Sequence, residues 1–224
     1  KEGLALNNGT AALTGLGALA LYDALKLEKN ADIIGALSLE ALHGVPYAFD
    51  ARTHALRPHS GQIAVAQNIR RLIEGSQIID KYKGSRVQDA YSLRCMPQVH
   101  GASRDALDYV KSKIEIEMNS VTDNPLIFPD DEAALSGGNF HGQPIALAMD
   151  FFAIAVSEFG SVSERRSARM VDKSLSNGLP PFLINDSGVN SGFMITQYTQ
   201  AAVASENKTL AHPACVDSIP TSAN

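Results

Sequence analysis

Apolar positions along this chain recur at helical spacing. From Val99 they fall at Ala102, Ala106, Val110, Ile114, Met118 and Val121, steps of three and four that mark one buried helix stripe. Asp123-Asn124-Pro125 should stop that helix, because proline disfavours helical backbone at the residue before it. Leu126 to Phe140, with Pro129 and Gly137-Gly138, reads as an irregular connection. Pro144 can open the next helix, where its missing N–H is not needed. Ile145 to Val156 is apolar nearly all round, which predicts a segment surrounded by other helices, with Ser163 to Arg169 emerging toward solvent. Gly178-Leu179-Pro180-Pro181 breaks the pattern, and a further helix is expected from about Phe193 to Leu210. Nearer the start, Ala11 to Leu27 and Ala31 to Leu42 read as two helices, and Gly61 to Lys81 as another.

Few stretches alternate at period two, aromatics make up 6% of residues and tryptophan is absent. The expected fold class is therefore all-α, a bundle of long helices joined by irregular loops. Ser60-Gly61 is a local break and not a domain boundary, so residues 1–224 read as a single helical region. The hydrophobic fraction of 45% supplies a core. A net charge of -5 gives no support to nucleic-acid binding, which needs a basic patch. The run from Ile145 is interrupted by Asp150 and falls short of the roughly 20 apolar residues of a bilayer span, so no membrane partner is expected. Cys95 and Cys215 are far apart with no CxxC spacing, which suits a reducing compartment.

Candidate chemistry concentrates in Arg86-Val87-Gln88-Asp89-Ala90-Tyr91-Ser92-Leu93-Arg94-Cys95. Gln88, Tyr91 and Arg94 stand at three-residue steps, and on a helical turn such residues share a face. Arg94 suits a carboxylate, which its planar fork can grip with two hydrogen bonds. Tyr91 is a candidate base if its surroundings favour the phenolate. Each of these residues also has an ordinary structural reading: a half-buried phenol, a surface arginine, a loop amide. Asn8-Gly9-Thr10 is a turn or helix start that could also lend N–H groups to an anion, and Phe140 is a packing residue by type. No metal site is expected: His54 and His59 lie beside Pro58 in a loop with no Cys or carboxylate at ligand spacing. Gly15-Leu16-Gly17 lacks the strand and third glycine of a dinucleotide fingerprint, and Glu115 and Glu117 lie on different helix faces.

The segment around Tyr91 resembles the histidine ammonia-lyase family. So do Glu2 to Thr10, Asp123 to Leu126, Ser136 to Gly142, Gly178 to Leu183, Asn190 to Met194, Ser205 to Pro213 and Val216 to Asn224, in the family's order along essentially the whole chain. The resemblance implies the central bundle of an aromatic amino acid ammonia-lyase. It implies Tyr91 as the catalytic proton-transfer residue, with Asn8, Gln88 and Arg94 as substrate-binding residues. Phe140 would pack beside the cofactor. That cofactor is 4-methylidene-imidazol-5-one (MIO), formed in the family from an Ala-Ser-Gly that precedes the segment matched by Lys1 and occurs nowhere in this sequence. The family's pattern also continues past Asn224 with Gln-Glu-Asp.

The chain is thus expected to be the middle of a longer lyase that converts L-histidine to trans-urocanate and ammonia, inactive by itself. The resemblance further implies a cytoplasmic homotetramer with active sites shared between subunits. His141, His212-Pro213 and Val216-Asp217-Ser218 lean toward the histidine branch, since phenylalanine-specific relatives usually carry glutamine at the place of His141. A phenylalanine or tyrosine ammonia-lyase or aminomutase remains the alternative within the family. A noncatalytic helical oligomerisation module is the alternative outside it.

Overall fold

The structure, a computed structural model, describes residues 1–217 and Ile219. The elements run α1 (Glu2–Ala5), α2 (Ala11–Ala41), α3 (Ala51–Ala55), α4 (Ser60–Leu72), α5 (Gln77–Tyr82), α6 (Tyr91–Arg94), α7 (Met96–Met118), β1 (Leu126–Phe128), β2 (Ala133–Leu135), α8 (Gln143–Val171) and α9 (Met194–Leu210), with short 3-10 turns at Pro46–Phe49, Pro129–Asp131 and Pro181–Leu183. The all-α architecture is as expected. Helix α7 packs against α8, α4 and α2, and α9 lies on α8.

Several elements differ from the sequence reading, each for a physical reason. The two helices expected before His43 are one continuous α2. The polar stretch that looked like a gap is satisfied inward: Glu28 pairs with Arg104 at 3.3 Å, and the buried Asp32 takes Arg104 at 3.0 Å, Asn68 at 2.9 Å and His100 Nδ1 at 2.9 Å. Burial pushes the His100 imidazole below its ordinary pKa, so it serves as a neutral donor to Asp32. The helix expected from Gly61 to Lys81 is split into α4 and α5. Gly75 has a φ of 74°, and Ser76 caps the second piece by accepting the Ile79 N–H at 3.2 Å. The stop expected at Asp123 comes earlier, at Met118, and its stripe is buried only at Ala106, Val110 and Ile114, while Met118 and Val121 are exposed. The expected irregular connection holds a small antiparallel hairpin, with Leu126 opposite Leu135. His54 sits in helix α3, buried, with Ala48 carbonyl and Gln62 as partners at 3.0 and 2.9 Å, a satisfied core histidine.

Helix α8 departs most from expectation. Its second position is Pro144, as anticipated, but it runs without a break through Val171. Its apolar first half is not enclosed, since Leu147, Phe151 and Ile154 are each at least 43% exposed. Its polar second half does not simply emerge: Glu164 and Arg166 are buried. Burial pushes Arg166 down to about 10, so it remains a cation at neutral pH. By length and apolar content α8 could cross a bilayer, yet Ala155 and Phe159 lie in the bundle core and Ser103 Oγ donates to the Ala155 carbonyl at 2.8 Å. It is a bundle helix.

Two apolar clusters share α2. Its second half contributes Ala36 and Leu39 to a cluster with Val65, Ile69, Ile79, Leu93 and Met96. Nearer its start it contributes Leu21 and Ala24, with Ala31 one turn past its middle, to a cluster with Leu107, Val110, Ile114 and Phe159. Helices α4 and α7 cross where Gly61 meets Gly101, and a Cβ on Gly101 would fall 2.4 Å from the Gln62 nitrogen. Backbone cannot yield as a side-chain tip does. Gly101→Ala is therefore expected to destabilise the full-length protein by about 1–3 kcal/mol in urea unfolding, overriding the better helix propensity of alanine. Equal or greater stability would mean that the crossing relaxes freely.

Candidate active site

Ala90, with φ -59° and ψ 155°, is extended, so the helical turn begins only at Tyr91. Gln88 therefore does not share a helix with Tyr91 and Arg94, contrary to the sequence expectation. The three side chains nevertheless meet. Arg94 Nη1 donates to the Gln88 amide oxygen, and the Arg94 guanidinium carbon lies 4.7 Å from the Tyr91 ring centroid, a cation–π contact. Arginine carries five N–H donors, so one bond to Gln88 leaves a fork for a carboxylate. Tyr91 is 71% exposed, and among the described residues no side chain or backbone group hydrogen-bonds its hydroxyl. The bland reading, a half-buried phenol tied to backbone, is not what is observed.

Behind this group, Arg166 donates to the Ser92 carbonyl at 3.4 Å and Leu93 is fully buried, which fixes α6 against α8 and the core. Tyr91 and Ser92 line a hollow of about 420 Å³ with Arg165, Ala168, Arg169, Asp172 and Leu175. The α8 arginines and Asp172 were not singled out in the sequence. Their signal, the charged run from Ser163, was assigned to solvent because nothing in one sequence shows that α6 folds back on α8.

Asn8 and Phe140 form a second group. Asn8 Nδ2 donates to Asp123 Oδ1 at 2.9 Å, and Lys1 Nζ lies 2.9 Å from Asp123 Oδ2. Gly9 makes this possible: with φ 99°, a Cβ there would lie 1.8 Å from the Thr122 carbonyl oxygen. Asn124 Oδ1 accepts from Ser136 Oγ and the Gly137 N–H at 3.1 and 2.8 Å, and Asn139 Nδ2 reaches the Val121 carbonyl at 3.4 Å. The turn before α2 and the loop before α8 thus converge on residues 121–124. Phe140 is 41% exposed in that loop, and His141 Nδ1 accepts the Gln143 N–H at 3.1 Å at the start of α8.

The hydrogen bonds from Lys1, Asn8 and the Asn124 N–H hold the Asp123 carboxyl down at about 2. A depressed carboxyl contributes to the fold above its ordinary value near 4 and loses that contribution as pH falls through the depressed one. The Asn8 side-chain amide resonance is therefore expected to hold steady down to about pH 3 and to move near 2. Movement centred near 4 would mean that the anchor is absent in solution.

The two groups lie at opposite ends of α7, Arg94 just before it and Asp123 just after. With 23 residues at about 1.5 Å each, they are about 35 Å apart. Among the described residues no hydrogen bond or ion pair joins them. The resemblance noted at Val216 to Asn224 includes Ser218 and Pro220 to Asn224, which lie outside the described residues.

Comparison with known proteins places this geometry. The chain matches the aromatic amino acid lyase family over residues 1–224. It is 60% identical over 224 residues to a histidine ammonia-lyase of Alkaliphilus oremlandii and 61% identical over 225 residues to histidine ammonia-lyase 2 of Fusobacterium nucleatum, covering 100% of this chain in each case. It spans 44% of the length of each of these relatives. Histidine ammonia-lyase from Trypanosoma cruzi superposes with a TM-score of 0.90 at 47% identity, over 100% of this chain and 41% of that one. Tyrosine aminomutase from Streptomyces globisporus superposes with a TM-score of 0.91 at 44% identity, over 99% and 46%. The helical fold expected from the resemblance is the one observed, and the chain belongs to the aromatic amino acid lyase family.

Proposed function

We propose that residues 1–224 are the central part of a histidine ammonia-lyase, which converts L-histidine to trans-urocanate and ammonia. The observation that carries this reading is the Tyr91–Arg94 pair, an exposed phenol whose hydroxyl has no hydrogen-bond partner among the described residues beside a guanidinium that gives one bond to Gln88. The choice of histidine rests on the histidine ammonia-lyases to which the chain is about 60% identical. Arg94 holds the substrate carboxylate and Gln88 steadies the Arg94 fork. Tyr91 takes a proton from the β-carbon, the freed electron pair becomes the Cα–Cβ double bond, and the amine leaves Cα with its bonding pair.

That amine is a poor leaving group, and the MIO group of this family supplies the electrophile that the elimination requires. The donor set at the other end of α7 fits it. Asn8 binds Asp123 through Nδ2 and keeps its carbonyl oxygen unengaged among the described residues, and Phe140 offers a partly exposed ring. Asn8 would hydrogen-bond the group and Phe140 would pack against it and exclude water.

A site that needs both groups draws them from different copies, because they are about 35 Å apart in one chain. Helix α9 buries no residue within the chain and exposes Ile195, Tyr198 and Val203, while α2 exposes Leu16, Leu19, Tyr22 and Leu37. Apolar surface on this scale marks an association face. These features support a homotetramer with shared sites. Cys95 and Cys215 are free, which supports a cytoplasmic location.

Ultraviolet absorbance of the full-length gene product with L-histidine, L-phenylalanine and L-tyrosine tests the reading. Urocanate from histidine alone is the expected result. Cinnamate or coumarate would move the assignment to the aromatic ammonia-lyases of the family. Silence with all three would favour an aminomutase, the activity of the Streptomyces globisporus neighbour, or a noncatalytic module. The isolated 224 residues, without Ala-Ser-Gly, are expected to show no turnover.

A further inference from the structure

Between α5 and α6 the chain has no regular structure from Arg86 to Ala90, and Val87 and Gln88 lie in solvent. One side chain of this segment is buried. Asp89 is 6% exposed, and burial pushes its carboxyl above the ordinary carboxylate range. Its Oδ2 accepts the Val45 N–H at 2.7 Å and its Oδ1 accepts Arg86 Nη1 at 3.1 Å. Arg86 Nη2 donates to the His43 carbonyl at 2.6 Å, and Asn177 Nδ2 donates to the neighbouring Leu42 carbonyl at 2.6 Å. Asp89 and Arg86 thus form a clasp on the corner that follows α2.

A buried, charge-paired carboxylate is a weak way to stabilise a fold, since an apolar side chain of similar size does as well or better. A directional hydrogen bond to backbone, however, sets the path of a chain as an apolar contact does not. The clasp lies one residue from Gln88 and two from Tyr91, in a segment with no helix or sheet ladder of its own.

We infer that Asp89, through its bonds to Val45 and Arg86, is a positioning residue that aims Tyr91 and Arg94 at the substrate. This rests on the lyase reading above. Asp89 touches neither substrate nor cofactor and acts through the chain path.

The test uses the full-length protein, wild type beside Asp89→Asn and Arg86→Gln. Asp89→Asn keeps the shape but gives up one acceptor. The expected result is a 10- to 100-fold fall in kcat/KM for L-histidine per folded protein. The isotope effect with β-deuterated L-histidine should rise, because a misaimed Tyr91 slows proton removal in particular. Arg86→Gln, at a side chain 25% exposed, should shift both in the same direction by less, and it decides the matter if Asp89→Asn does not fold.

A change in kcat/KM under twofold, or a fall with an unchanged isotope effect, would overturn the inference and leave Asp89 merely structural. If wild type works on another aromatic amino acid, the histidine reading falls and the same comparison is made with that substrate. Hydrogen exchange at Val87 to Arg94 reads the clasp without turnover. Faster exchange there with α7 unchanged supports it, and unchanged exchange overturns it.

Discussion

Tyr91→Phe in the full-length protein is expected to lower kcat for L-histidine by about three orders of magnitude, within the about 10²–10⁴-fold range of a lost general base. KM should stay within a few-fold. The variant removes one oxygen and keeps the ring, so the contact of Arg94 with the ring face survives and the carboxylate grip survives with it. Stability should not change, because the hydroxyl is exposed and has no protein partner among the described residues to lose. Steady-state kinetics with a thermal melt checks this. A loss under tenfold would remove Tyr91 from proton transfer, and a large loss of melting temperature would make the variant uninformative about chemistry and contradict the exposure argument.

The sequence announced Tyr91, Arg94 and Gln88 through spacing, and they do come together, though not by the route that the spacing suggested. Three-residue steps imply a helix face, while the extended Ala90 places Gln88 outside the helix and a hydrogen bond from Arg94 retrieves it. Periodicity located α7, α8 and α9 because their apolar residues repeat over many turns. It divided α2 wrongly at Glu28 to Asn30, since Arg104, the partner that Glu28 and Asp32 share, lies more than 70 residues away on α7 and single-sequence patterns are blind to such pairs. The same blindness sent Arg166 to solvent. Asp123 was read as a helix stop, and its second role, holding Asn8, depends on a turn that only Gly9 permits. The distance between the two site groups is set by the length of α7, whereas in the sequence a division of site residues between subunits is implied only by the family resemblance.

Arg94→Lys tests the other half of the pair. Lysine keeps the charge but loses the planar fork, so it can neither grip a carboxylate with two parallel bonds nor reach Gln88 in the same geometry. A hydrogen bond to a charged group contributes about 1.5–3 kcal/mol, which corresponds to a rise in KM for L-histidine of about 10- to 100-fold. If the carboxylate is held equally in ground and transition states, kcat changes little. The contact with the Tyr91 ring makes a further prediction, because a lysine at this site orders the phenol less well, and kcat should fall about threefold to tenfold as well. Histamine, which is the substrate without its carboxylate, separates the two effects. Its inhibition constant should be the same in wild type and variant if Arg94 acts on the carboxylate. If histamine weakens as much as L-histidine does, Arg94 shapes the pocket as a whole and the carboxylate must find its cation elsewhere, with Arg165 and Arg169 of the same hollow the next to replace.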